Sequence, residues 1–222
     1  MATTVTKTIK SSGGDYASLS AWEAGEQSDL VTADQIAVAE CYSFEDTTIV
    51  SINGWTTDAT RYIKITTPTS ERHDGKWNTN KYRLVVSTTY AYAIDVIEDN
   101  VRLEGLQIEH AGSGVDDARL VRLAGAGEMR VSHCVIRGTN ATQPDFGIFL
   151  NVASGATVKI WNNIIYDCGL GIYYSWGNTI NGVVYNNTVC GCSSGGISIN
   201  GDSASINLYV KNNICNGNAT DY

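Results

Sequence analysis

Ile160-Trp161-Asn162-Asn163-Ile164-Ile165 is followed in the same phase by Val184-Tyr185-Asn186-Asn187-Thr188-Val189 and Val210-Lys211-Asn212-Asn213-Ile214-Cys215. Looser copies precede them at 101–108 and 129–136, so that positions 103, 131, 160, 184 and 210 are equivalent, with steps of 28, 29, 24 and 26 residues. A second set of short apolar segments lies between the copies: Ala93-Ile94-Asp95-Val96, Leu120-Val121-Arg122-Leu123, Gly147-Ile148-Phe149-Leu150, Gly171-Ile172-Tyr173-Tyr174 and Gly196-Ile197-Ser198-Ile199. Its steps, 27, 27, 24 and 25 residues, match those of the first set. Two strand families that advance together signal stacked repeats; a sandwich would show turn signals without in-phase copies.

The repeat predicts an all-β chain, a right-handed parallel β-helix of about seven coils, in which each strand lies on its equivalent one coil earlier. Side chains alternate along a strand, so Leu103, Val131, Ile160, Val184 and Val210 should form one inward column. Ile108, Ile136, Ile165, Val189 and Cys215 should form a second, and Ile94, Val121, Ile148, Ile172 and Ile197 a third. Asn tolerates bends and both donates and accepts, so a hydrogen-bonded ladder is expected at Asn162, Asn186 and Asn212, with His133 in the same phase and Asn163, Asn187 and Asn213 at the next. Earlier coils are expected at 36–39 and 62–66, aligned on Val38 and Ile65, with a polar insertion at 68–82.

Residues 1–30 read as a lead-in and capping helix, with Ser20 and Glu23 as a capping box, and residues 31–222 as the β-helix. The helix would cover the open edge of the first coil. After the last repeat, residues 216–222 carry no helical pattern, so either the chain is a fragment or another chain covers the last coil, and the second is expected. The net charge of −8 argues against a nucleic-acid partner and against an anionic membrane surface. Residues 1–10 lack an apolar stretch and a cleavage site, so no signal peptide is expected, and the six cysteines are read as reduced. Cys190-Gly191-Cys192 has no metal-ligand spacing, and no metal or cofactor is expected.

The V-x-I-x-N-N-x-I pattern, with Gly13-Gly14-Asp15-Tyr16-Ala17-Ser18-Leu19 leading into the helix, resembles the right-handed parallel β-helix (pectate lyase-like) superfamily. That superfamily includes pectate lyases, polygalacturonases and phage tailspikes. Overall the chain is most similar to bacteriophage virion β-helix proteins. Of the polygalacturonase motifs N-x-D, D-D, H-G and R-x-K, Asp116-Asp117 matches the second and no H-G or R-x-K follows; His110 is followed by Ala111 and His133 by Cys134. The outward columns read Glu104, Ser132, Trp161, Tyr185, Lys211; then Arg102, Arg130, Lys159, Val183, Tyr209; then Asp95, Arg122, Phe149, Tyr173, Ser198. They hold no cluster of acids fit for Ca²⁺. Asp95 and Arg122 read as an ion pair. Asp116, Asp117, Asp145 and Asp167 read as turn acids, and His73-Asp74 as a loop pair. Trp161 over Tyr185 and Phe149 over Tyr173 read as outward stacks that stabilise neighbouring strands first, form a protein interface second and bind sugar rings third, and they are the candidate binding or interface residues.

These features, with the resemblance, lead to the expectation of a non-enzymatic structural protein on a virion exterior: a decoration protein, head fibre or tail spike, made in the host cytoplasm. Its partners would be other virion subunits or copies of itself, a trimer first, with a surface glycan as a further partner. The alternatives are a polysaccharide lyase or hydrolase, or a carbohydrate-binding adhesin module.

Overall fold

Three parallel sheets run the length of the chain in a computed structural model, which describes residues 1–88, 92–112, 118–138, 145–174, 177–200 and 205–222. The first sheet stacks Thr3–Ile9, Gln35–Cys41, Ile63–Thr66, Val101–Glu104, Glu128–Ser132, Ala156–Trp161, Ile180–Tyr185 and Ile206–Lys211. The second stacks Glu45–Asp46, Arg83–Val86, Gln107–His110, Val135–Arg137, Ile164–Tyr166, Thr188–Cys190 and Ile214–Asn216. The third stacks Val50–Ile52, Tyr92–Val96, Arg119–Leu123, Phe146–Leu150, Leu170–Tyr174 and Gly195–Ile199. The chain visits the sheets in turn, which makes six complete coils and an incomplete seventh.

Register follows the sequence repeat. Leu103 pairs with Val131, Val131 with Ile160, Ile160 with Val184 and Val184 with Val210. The columns through Ile108 and Ile94 also pair as read. Their Ile and Val side chains are almost wholly buried until the last coil. Each such burial stabilises the fold by about 1.5–3 kcal/mol. In the last coil Val210 is 38% exposed and Tyr209 73%. One early alignment shifts: Ile65 pairs with Ala39, not Val38, whose partner is Lys64. Ala39 is the inward residue, and Val38 shares its outward column with Thr6 and Lys64.

The ladder also shifts by one residue. Asn162, Asn186 and Asn212 are exposed and lie at φ +56°, +54° and +55°, with His133 at +55°. They are the left-handed bend residues between the first and second sheets, a conformation that Asn tolerates better than most side chains. The internal ladder is Asn163, Asn187 and Asn213. Asn163 Nδ2 donates to Asn187 Oδ1 at 2.9 Å, and Asn187 Nδ2 to Asn213 Oδ1 at 3.0 Å. The second amide hydrogens reach the strand carbonyls of Val131, Ile160 and Val184 at 3.0, 3.1 and 3.0 Å. The bend residue breaks the strand alternation, so the inward side chain is the second of each Asn pair. Cys134 occupies the same phase one coil earlier and gives its N–H to Asn163 Oδ1 at 3.0 Å.

At the N-terminal end the helix Leu19–Glu26 places Leu19, Trp22 and Glu23 against the first coil. Its cap is Ser18 and not Ser20: the Ser18 hydroxyl accepts the Ala21 N–H at 3.1 Å. Glu23 is buried for another reason. It accepts from Gln27 Nε2 at 2.7 Å, the Asn53 N–H at 3.2 Å and Trp55 Nε1 at 3.3 Å. The strand Thr3–Ile9 adds to the first sheet beyond the first coil, so the sheet edge there is formed by this strand. Burial pushes the Cys134 thiol up to about 12 and raises the Cys41 thiol as well. Cys41, Cys134, Cys168 and Cys192 are buried free thiols, and Cys190 and Cys215 are half-buried ones.

Candidate functional site

Strand alternation sends two columns of the first sheet outward. Lys64, Arg102, Arg130 and Lys159 follow one another on successive coils, beside Glu104, Ser132, Trp161 and Tyr185. Four cations stacked at the sheet spacing of about 4.8 Å would repel one another unless something compensates them. Two carboxylates do part of this. Glu104 pairs with Lys64 at 2.7 Å and Arg72 at 3.0 Å, and Glu128 pairs with Arg130 and Lys159. Burial alone would raise the Glu104 carboxyl, but the hydrogen bonds and charges of Lys64 and Arg72 outweigh it and hold it below its ordinary value. Glu128 is held low in the same way, burial being outweighed by Lys159 and Arg130.

Arg102 is different. Its guanidinium carbon lies 3.3 Å from the centroid of the Tyr62 ring, and it has no carboxylate partner among the described residues. Burial, and then the neighbouring Arg130 charge, lower its affinity for its proton. Between these side chains lies a groove of about 170 Å³, which also reaches Ser132, His133 and Trp161.

The insertion at 68–82 touches two residues of this groove, Glu104 and His133, and covers the outside of the second sheet. Gln107, fully buried, holds it: Gln107 Oε1 accepts the Asn78 N–H at 2.6 Å, and Nε2 donates to the Asn78 and Tyr82 carbonyls at 2.9 Å each. The Arg137 guanidinium stacks on Trp77 at 4.1 Å and pairs with Glu109 at 2.8 Å. On the groove side, Arg72 bonds the Thr67 carbonyl at 3.1 Å and Glu104, and His73 Nε2 meets the His133 carbonyl at 2.8 Å.

His73 fixes its own protonation state. The Gly75 N–H lies 3.2 Å from Nδ1 and only donates, so Nδ1 accepts and Nε2 carries the proton given to His133. Burial lowers the His73 pKa below 6.5, the His133 carbonyl opposes this, Arg72 and His133 add to the lowering and Asp74 resists it. A displaced loop therefore binds more protons than the docked one in the window just below 6.5, so docking weakens as pH falls through that value and is unaffected above it. Going from about pH 7.5 to about pH 5.5 should lower the protection of the Asn78 amide, its hydrogen exchange slowing by less than the intrinsic pH dependence requires. In His73→Gln the loss of protection should be absent; its persistence there would place the sensitivity elsewhere.

The sequence candidates divide between two faces. Trp161 and Tyr185 stack outward and half-buried, with centroids 6.1 Å apart and planes at 5°, and His133 meets Trp161 edge-on at 6.5 Å. Asn162 Nδ2 lies 3.1 Å from His133 Nε2, so the bend residues flank the groove. Phe149 and Tyr173 stack at 5.9 Å and 15° on the third sheet, but Phe149 is only 4% exposed. Phe146 packs on both rings, at 5.3 and 5.1 Å, and Arg119 lies over Phe149, so Phe149 stabilises that face and is not a contact for a ligand. Asp95 and Arg122 form the expected pair, bidentate at 2.6 and 2.9 Å. Asp145 is buried against His110 Nδ1 at 3.1 Å, Asp167 is an exposed bend residue at φ +53°, and Asp116 and Asp117 lie outside the described residues. Tyr62, Lys64, Arg72 and Glu128 were missed as site residues. A register-aligned column of basic residues was the available signal for Lys64.

No group of three or more metal-ligating side chains is present among the described residues, and no helix among them is long and apolar enough to cross a membrane. A protein-family profile described as the right handed beta helix region matches residues 74–221. No curated protein and no solved structure shows significant similarity to the chain.

Proposed function

Because the chain belongs to the right-handed β-helix family, we propose that it is a non-enzymatic structural protein of a bacteriophage virion, of the decoration, head-fibre or tail-spike kind. The observation that carries the non-catalytic reading is the state of the two acids, Glu104 and Glu128, that pair with the cations of this face. Glycoside hydrolysis needs a carboxyl kept protonated opposite a second carboxylate. Glu104 and Glu128 are each clamped by two cations and held below their ordinary range. The coil stack then acts as a stiff support, and the outer face of the first sheet is its docking surface. Its partners in this reading are other virion subunits or further copies of the chain, a trimer first. The stacked pair Trp161 and Tyr185 favours a second reading, a module that binds a surface glycan by ring stacking.

A screen against neutral and acidic polysaccharides should yield no new reducing ends and no unsaturated products. Turnover that disappears in Glu104→Gln would overturn the structural reading. Antibody against the chain should label the surface of intact particles from a lysed host culture, and labelling confined to the soluble fraction would count against the virion setting.

A further inference from the structure

Arg102 stands out on the first sheet because its surroundings are built to attract an anion that no described residue supplies. Its register neighbours are Lys64 on one coil and Arg130 on the next, so it sits between two like charges. The carboxylates nearby are committed to other cations, Glu104 to Lys64 and Arg72, Glu128 to Arg130 and Lys159. The Tyr62 ring covers one face of the guanidinium and holds it in place. Three cations and a single carboxylate line the groove, in a chain whose net charge is −8. Its volume, about 170 Å³, is that of about six water molecules and admits a tetrahedral oxyanion with part of the molecule that bears it.

We propose that Arg102, flanked by Arg130 and Lys64, binds a divalent oxyanion group, phosphate or sulfate, free or esterified to a larger molecule that lies against Trp161. The surplus of cations favours two negative charges over one, and guanidinium groups match the oxygen geometry of such groups. Ser132 and His133 border the same groove, and a serine hydroxyl there can donate to one of the remaining oxygens. This rests on the reading of the first-sheet face as a docking surface.

Calorimetric titration with inorganic phosphate, inorganic sulfate, glucose 6-phosphate and acetate tests it. Phosphate and sulfate should bind, more weakly as salt is added, and acetate at least about tenfold more weakly than either. Arg102→Met removes the charge but keeps an unbranched aliphatic side chain beside Tyr62, and should weaken phosphate binding about tenfold or more. Arg130→Met should weaken it as well and serves where the first variant fails to fold. Arg83→Ala, whose native partner is Glu45 away from the groove, should bind as wild type. Tighter binding of glucose 6-phosphate than of phosphate assigns an esterified ligand, and equal binding a free anion. Absence of binding by phosphate and sulfate, acetate binding as tightly, or full affinity in Arg102→Met overturns the site. Polysaccharide turnover would overturn the structural reading and leave an observed anion site standing, so the two failures are distinguishable.

Discussion

Gly182→Ala should lower the melting temperature by about 10 °C or more, the largest loss expected from any single methyl group added to this chain. Gly182 pairs with Val158 on one side and Leu208 on the other, in the middle of a first-sheet strand. Its φ is +133°, a region closed to L side chains, so alanine is strained there whatever the space. Space is lacking too. A Cβ would fall inside contact with the Val158 carbonyl oxygen and lie 2.8 Å from the carbonyl carbon and 2.9 Å from the amide nitrogen of the same residue. These are backbone atoms of a paired strand and cannot swing aside. The combined cost is more than about 4 kcal/mol, above the ordinary range for point substitutions. Circular dichroism melts of the two proteins decide it. A wild-type melting temperature for Gly182→Ala would mean that this strand has ordinary extended geometry.

Asn187→Leu should cost about 3 kcal/mol or more, and Asn186→Leu, one residue earlier, about 1 kcal/mol. The Asn187 side chain accepts from the Asn163 N–H at 3.1 Å and from Asn163 Nδ2 at 2.9 Å. It donates to the Ile160 carbonyl, the Tyr185 carbonyl and Asn213 Oδ1 at 3.1, 3.2 and 3.0 Å. Leucine removes all of these and strands the Asn163 N–H in the interior, where an unpaired group costs about 1–3 kcal/mol. Asn186 is exposed, so its replacement gives up only the tolerance of Asn for φ near +54°. Urea unfolding of both variants measures the contrast. Equal losses would mean that the interior ladder does not run through Asn187.

The coil stack was legible because Ile160, Val184 and Val210 repeat in phase, and a parallel in-register stack converts sequence phase directly into contact. The outward stack of Trp161 on Tyr185 and the pair of Asp95 with Arg122 follow from the same phase. What the repeat did not reveal lies where it is interrupted. A residue in the left-handed region reverses the alternation, so phase alone could not say which Asn of Asn186-Asn187 points inward. Phe149 read as an outward ring, but phase says nothing of Phe146 beside it, which lies in the next column and covers it. The insertion at 68–82 has no counterpart in other coils, so its docking through Gln107 and His73 left no trace in the repeat. Arg102 and Arg130 were in view as a column, yet a search for acids and bases passes over an arginine whose interest is the partner it lacks.

Each coil is joined to its neighbours through equivalent residues, Ile160 to Val184 and Val184 to Val210, with Asn163, Asn187 and Asn213 in step. Heredity can therefore edit this chain in whole quanta. Excising the 24 residues from one such position to the next brings Ile160 and Val210 into register and leaves Asn163 facing Asn213 across a seam of native chemistry. Losing a single residue within a strand does the reverse, turning its apolar side chains to water and its charges to the core. A gene for such a chain can lengthen or shorten by duplication and deletion of entire coils, while smaller changes are confined to the turns, where the steps of 24 to 29 residues differ.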